Sequence, residues 1–363
     1  MDKKTYKIWS TWPVRLSLSF IAVLLVVSLC ADLLVGDSPV ALSKYGPQTI
    51  SEYTKIYQPP GFKETSPDGS HVHWLGTDKF GRDVAARLIY GTRAALGIGI
   101  WSTLLSLLIA LVLGTASGYF GNDRVKVNLT QLLWVVVSSM IALFYAWYLS
   151  LGTKSDGYFG HNHNKLLFYL VISSIIIWPV YFGLGKLRLK RYSLPIDAVV
   201  VKVLEVFRSV PTLFLLIALF ALIRTPSMTS VILIIGLLGW PGLTRLLRAE
   251  IQKVRKEEYV EASQILGLSD IRIIIYHVLP NSVAPVVVAL AFAVSGAVLL
   301  ESTLSFLEIG LPLNTPSWGG LLREARDYFA AWWLAIIPGA LIFLTVLSCN
   351  ILGTKLNDYH SSS

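Results

Sequence analysis

Charge is what this chain has least of. Asp, Glu, Lys and Arg make up 15% of its 363 residues, where soluble globular proteins carry about a quarter. A water-soluble surface cannot be covered with so few charges. Acidic residues are the scarcer sign, 22 against 31 Lys and Arg, which leaves a formal net charge of +9. Cysteine is nearly absent. Cys30 and Cys349 both fall inside apolar runs, which excludes a disulfide framework and a CxxC metal site and leaves packing as their role. No Gly-x-x-x-x-Gly-Lys-Ser/Thr phosphate loop occurs. The nearest stretch, Gly76 to Arg82, ends in Arg where that loop needs Lys, and Asp83 stands where it needs Ser or Thr. ATP hydrolysis by that route is therefore excluded. Asp78, Arg82 and Asp83 lack the nucleophile and paired partner of a catalytic set. An ion-pair and capping role near a membrane face is expected of them.

Long apolar runs are what the chain does have. It is 54% hydrophobic, with mean hydropathy +0.61. About 20 apolar residues cross a bilayer core as a helix. Runs at about 16–35, 95–118, 129–150, 166–184, 200–222, 229–247, 282–303 and 332–353 qualify or nearly so. The first has a core too long for a signal peptide and no small-x-small cleavage site, so it is expected to be an uncleaved span. The fifth is the least clean. Lys202, Glu205 and Arg208 sit in its first turns, and Pro211 predicts a kinked or interfacial start. The fold class expected is an all-α polytopic transmembrane bundle of about eight spans.

Basic residues cluster between these runs, at the N-terminus, at Lys186–Arg191 and from Arg245 to Arg272. Positive charge in short cytoplasmic loops explains this more simply than nucleic acid does, and no nucleic-acid partner is expected. With the N-terminus inside and eight crossings, all three clusters and the C-terminus fall in the cytoplasm. Trp134, Tyr145, Trp147 and Trp332 near span ends suit an interfacial belt. Membrane lipid is thus an expected partner.

Residues 261–281 read EASQILGLSDIRIIIYHVLPN. A helix from about Lys256 to Leu266 is expected to stop at Gly267 in the left-handed conformation. Ser269 or Asp270 is placed to cap a second helix. Ile271, Ile274, Ile275 and Val278 are expected to form its apolar face, and Pro280 to end it or bend the chain. Glu261, Ala262, Gly267, Leu279 and Pro280 stand at the spacing of the "EAA" cytoplasmic loop of bacterial ABC importer permeases, which this segment resembles. Ser263 replaces the second Ala of that pattern. His277 to Asn281 is similar to the peptide-transporting branch in particular.

A second stretch, His73 to Val84, contains Gly76, Thr77, Asp78, Gly81, Arg82 and Asp83. It resembles the external signature that dipeptide and oligopeptide permeases carry before their second span. Gly91-Thr92-Arg93, Gly118 to Gly121, Phe207 to Pro211, Gly239 to Gly242, Leu304 to Leu311 and Thr315 to Gly319 continue the likeness. It covers about residues 73–121 and 197–357. The resemblance implies a type I permease subunit of an ABC importer in the bacterial inner membrane, with no catalysis and no cofactor of its own. It implies separate ATPase subunits docking on residues 245–281, a second homologous permease and an external solute-binding protein. Peptide is the implied solute; related permeases carry nickel or glutathione.

The expected organisation is an N-terminal span with an external segment (1–93), a permease core (94–121 and 197–357) and an insertion (122–196). Between Gly121 and Asp197 the usual members run almost directly from span to span, whereas this chain inserts about 75 residues. A transmembrane hairpin is expected there, since an even number of crossings keeps later orientation; two surface helices are the alternative. Several residues carry two readings. Glu301 and Glu308 line the solute path or hold an interfacial structure. Gly114 and Gly118 pack two helices closely or are chance glycines. His161 and His163 belong to an ordinary polar loop more readily than to a metal site, and no metal is expected. A membrane-embedded enzyme and a non-transporting structural or sensor subunit are the competing function classes; neither has an intramembrane catalytic set or another motif behind it.

Overall fold

Pro13 lies in the first turn of helix α1 (Trp12–Leu29), where its missing N–H breaks no helical bond. The computed structural model describes residues 11–35, 55–66, 69–128, 191–221, 223, 226–312 and 314–361. After a short helix α2 (Ala31–Val35), strands β1 (Phe62–Ser66) and β2 (Gly69–His73) pair antiparallel, with Phe62 opposite His73. Helix α3 (Val84–Thr115) continues through a π-turn, Ala116–Phe120, to Gly121 at φ +65°. Strands β3 (Lys126–Asn128) and β4 (Arg191–Ser193) follow, then helices α4 (Ile196–Ser209), α5 (Thr212–Ala221) and α6 (Met228–Val254). Helices α7 (Glu258–Ile265), α8 (Asp270–Ile273) and α9 (Leu279–Ser282) lead into α10 (Ala284–Phe306), α11 (Trp318–Asp327) and α12 (Trp333–Ser361).

Five of these helices are long and apolar enough to cross a membrane: α1, α3 with its π-turn, α6, α10 and most of α12. The expected fifth span is not one straight helix. α4 and α5 meet at an angle of 85° around Pro211. Proline donates no amide hydrogen and pushes the residue before it out of the helical region, so the chain turns there. The expected third and fourth spans, and the loop with His161 and His163, lie outside the described residues. The second span begins earlier than the hydropathy suggested, at Val84 instead of about 95. Asp83 caps it, its carboxylate accepting from the Ala85 amide at 2.8 Å. Arg87, which looks like a break in the apolar run, is buried and ion-paired.

The chain forms two compact units, residues 1–119 with 202–363, and residues 120–201. In the first, α3 packs most extensively on α6, and small residues make the approach possible. A Cβ on Gly118 would stand 2.9 Å from Ile251, one on Gly114 3.2 Å from Leu247, and one on Gly236 2.7 Å from Leu105. The Ser106 hydroxyl crosses the seam to the Gly236 carbonyl at 2.8 Å. Gly114 and Gly118 are thus packing glycines. One buried cluster joins α1, α3, α11 and α12 through Leu24, Leu88, Leu96, Trp318 and Leu334. Another joins α3, α5, α6 and α10 through Ile98, Leu216, Ile234 and Leu304. Outward-facing residues stay apolar, as Trp101, Leu104, Leu108 and Val112 on α3 illustrate, which suits lipid or a partner helix.

In the second unit β3 and β4 pair antiparallel, with Asn128 directly opposite Arg191. The Asn122 side chain accepts from the Ala198 amide at 3.0 Å, and the Asp197 amide bonds the Gly121 carbonyl. Both ends of the inserted segment are therefore tied to each other. Replacing residues 129–190 by Asn-Gly, a dipeptide suited to a two-residue hairpin turn, is expected to leave membrane insertion intact and give a monodisperse species in detergent. Loss of inserted protein at unchanged synthesis would show that the segment is needed for folding.

Candidate functional sites: a buried charge cluster, a central cavity and an exposed loop

The segment before α3 is shaped by two glycines. Gly76 and Gly81 have φ of +81° and +73°, and a Cβ on Gly76 would also stand 2.6 Å from the Gln58 carbonyl. Thr77 is buried between them; its hydroxyl donates to the Lys55 carbonyl at 2.6 Å and accepts from the Gln58 amide at 2.7 Å. Asp78 is fully buried. One of its oxygens accepts from the Phe80 and Arg82 amides at 2.8 and 2.9 Å. The other meets Arg82 Nε and Arg87 Nη1, both at 2.6 Å. The same Arg87 nitrogen reaches Glu324 of α11 at 2.7 Å. Glu324, also fully buried, lies 3.6 Å from Arg82 and 3.8 Å from Arg323. Asp83, besides capping α3, stands 3.4 Å from His73 Nδ1.

Two carboxylates and their arginines, removed from water together, fasten the His73–Asp83 segment and α3 to α11. Trp333 adds a hydrogen bond to the Thr77 carbonyl, and Trp318 one to Leu88. Gly319 lets α11 approach so closely that a Cβ there would collide with the Ser302 backbone. Tyr57 stacks on Tyr328 at 4.6 Å, and its hydroxyl pKa is pushed up to about 12 by burial and by the neighbouring carboxylates of Glu324, Asp327 and Asp78. The sequence pattern marks Asp78 and Arg82. It does not mark Arg87, Glu324 or Arg323, whose importance comes from 237 residues of separation closing in space.

Among α3, α5, α6 and α10 lies a cavity of about 160 Å³. Ser102, Thr103, Ser106, Thr212, Gly239 and Gly296 line it, with Leu216, Ile235, Leu238, Ala293, Ala297 and Leu300. Ser102 and Ser106 spend their hydroxyls on the Ile98 and Gly236 carbonyls. The buried Thr103 hydroxyl has no hydrogen-bond partner among the described residues. Glu301 and Glu308 are not part of this wall. Glu301 is buried and accepts from Ser305 and Ser302 of its own helix, at 2.8 and 3.3 Å. Glu308 is half exposed at φ +65°, 3.5 Å from Arg326.

Residues 255–283 form a loop of short helices. Gly267, at φ +77°, ends the first of them, and a Cβ there would meet nothing within 4 Å. Glycine is favoured here by backbone conformation alone. Glu261 and Ala262 are exposed, while Ser263 is buried and bonds the Tyr259 carbonyl at 2.7 Å. Ser269 occupies the cap position of α8 without a side-chain cap bond. The expected apolar face is displaced. Ile273, Ile274 and Val278 are buried, whereas Ile271 and Ile275 are exposed. The physical reason is the π-turn Ile274–Val278, which widens the helix ahead of Pro280. It also lets the helix continue past Pro280 into α9, where termination or a bend was expected. His277 and Leu279 are partly buried and Pro280 is exposed. Ile265, Leu266, Ile271, Ile275 and Tyr276 present apolar surface outward, from 51% to 86% exposed. Inside, the fully buried Tyr119 donates to Asp270 at 2.7 Å, and Arg248 donates to Ser117. The loop is thereby joined to the π-turn that ends α3.

Residues 184–360 match the model of the family described as binding-protein-dependent transport system inner membrane component. Over that stretch the chain is similar to members of that family. Its relatives include the dipeptide transport system permease protein DppC of Haemophilus influenzae, 26% identical over 94% of this chain and 88% of that protein. DppC of Alkalihalophilus pseudofirmus is 25% identical over 85% of this chain and 80% of its own length. The glutathione transport system permease protein GsiD of Pectobacterium atrosepticum is 26% identical, over 87% and 78%.

Two outcomes follow from this geometry. Glu324→Gln leaves Arg87 and Arg82 short of a charge partner in a buried site, at a cost of about 3–5 kcal/mol; a lowered melting temperature in detergent is the expected result, and an unchanged one would mean that the cluster is solvated. At Gly267, Asn is expected to behave nearly as glycine and Val to loosen the loop, because a branched side chain disfavours positive φ. Trypsin cleavage at Lys256 and Arg272 in membrane vesicles measures this; equal cleavage of all three proteins would contradict it.

Proposed function

We propose that this chain is a permease subunit of an ATP-driven ABC importer for di- or oligopeptides. It forms half of the translocation path together with a second, homologous permease, and it performs no chemistry. Separate ATPase subunits supply the energy, and an external solute-binding protein delivers the solute. The chain sits in the bacterial inner membrane with both termini in the cytoplasm.

The observation that carries this reading is the loop at residues 255–283. It offers exposed apolar side chains outward while Tyr119 and Asp270 bind it inward to α3. A docking surface attached in that way can pass a partner's motion to a spanning helix. Glu261, Ala262, Ser263, Gly267, His277, Leu279 and Pro280 belong to this docking element in our reading. ATP-driven closure of the ATPase pair moves the loop, and the spans switch the central cavity between the two sides. Only a difference in solute affinity between the two states couples this switch to transport. The outer cluster around Asp78, Arg82 and Glu324 serves as the rigid external anchor. Peptide rests on the DppC relatives; the GsiD relative, at similar identity, makes glutathione the second solute to try.

The test is reconstitution of the complete transporter with its cognate ATPases, second permease and binding protein. ATP-dependent accumulation of a labelled dipeptide in proteoliposomes is expected, with unlabelled glutathione as competitor. Accumulation that continues when this chain is omitted would refute the proposal.

A further inference from the structure

The central cavity adjoins a second opening. It shares Thr212 and Leu238 with a wider cleft of about 400 Å³ at the elbow between α4 and α5. That cleft is bordered by Arg208 and Pro211 on the elbow side and by Pro241, Gly242 and Arg245 on α6. Seven residues separate Leu238 from Arg245, about 10 Å along a helix. The opening therefore runs from mid-bundle toward the end of α6 that carries the 255–283 loop. Space is kept along it: a Cβ at Gly296 or Gly242 would meet nothing within 4 Å.

Two guanidinium groups border one cleft there, and neither has a carboxylate partner among the described residues. The nearby Glu205 is engaged by Lys202 at 2.8 Å. Two like charges beside one opening repel each other, and an anion placed between them relieves that repulsion. Arginine's planar fork suits a carboxylate in particular. Beside them Phe207 packs edge-on against the buried Trp240 at 5.2 Å, giving the cleft an apolar flank. The ligand this describes is a carboxylate on a small, partly apolar body. Farther in, the unpartnered Thr103 hydroxyl offers a hydrogen bond to a polar group in the same file.

We propose that Arg208 and Arg245 form a carboxylate-receiving site at the exit of the translocation path, taking the C-terminal carboxylate of a peptide as it leaves the central cavity. This rests on the importer reading above. The shared chemistry is an oxyanion, so an acidic lipid headgroup is the competing source.

The test measures binding of a fluorescent dipeptide, as free acid and as C-terminal amide, to the membrane complex of both permeases and the ATPases without the binding protein. The wild-type complex is expected to favour the free acid by about tenfold, the scale of one or two charge-assisted hydrogen bonds. R208Q/R245Q is expected to erase that preference by weakening the acid and leaving the amide unchanged. R208K/R245K, which keeps the charge and hence the topology signal, is expected to retain part of it. A wild-type complex without the preference, including one with no measurable binding, overturns the proposal, as does a preference that survives in R208Q/R245Q. Measurements in phosphatidylcholine alone and with added phosphatidylglycerol separate the two sources. A preference for the acid in phosphatidylcholine supports the peptide site, and an arginine effect seen only with phosphatidylglycerol assigns the cleft to lipid and overturns it. ATP-driven uptake is scored in parallel: uptake without the acid preference sinks this inference alone, whereas absence of all uptake sinks the importer reading.

Discussion

The close approach of α3 and α6 is the constraint on which the other features depend. Within a bilayer, apolar surface gains nothing by turning from lipid to protein, so helices associate through tight packing and buried polar contacts. Here glycines at 114, 118 and 236 remove the side chains that would hold the axes apart, and Ser106 bonds across the seam to Gly236. One end of that pair carries the Asp78–Arg87–Glu324 cluster, and the other carries Tyr119, which bonds Asp270 of the 255–283 loop. The cavity lies beside the middle. A shift of α3 against α6 would move all three.

The two polar ends are built differently, and the difference suits their places. The Asp78–Arg87–Glu324 cluster is buried, charged and multiply bonded, an arrangement in which losing any one member strands the others in low dielectric. It resists deformation. At the loop end a tyrosine–aspartate hydrogen bond lies beside a π-turn, and the exterior is apolar and open. A buried tyrosine, Tyr119, donates to Asp270 and so ties the loop to the end of α3.

Much of this was legible in the chain itself. Apolar runs near 20 residues announce spans because lipid cannot satisfy a backbone N–H or C=O. Gly267 after a polar helical run announces a helix stop. Pro211 announces a turn of the chain, which proves to be 85°. Asp78 and Arg82, four apart and flanked by glycines, read as a local ion pair, and they are one. The glycine positions were ambiguous, since glycines at a spacing of four pack helices only if another helix is there.

What the sequence alone determined, then, was whatever depends on neighbours along the chain: spans, caps, turns and the absence of a phosphate loop. Tertiary structure decided what depends on distant partners. Arg87 reads as an interruption of a span until Glu324, 237 residues away, is placed beside it. Ile271, Ile274, Ile275 and Val278 read as one apolar face, but periodicity marks a stripe without saying which side is covered; the π-turn before Pro280 puts Ile273, Ile274 and Val278 inside and leaves Ile271 and Ile275 out. Glu301 and Glu308, ionisable near a span, read equally as path residues or as holders of an interfacial structure. The fold gives one to its own serines and the other to Arg326, and leaves the cavity to Thr103 and its neighbours. In each case the residue type states which interactions are possible, and only the packed helices decide which of them are within reach.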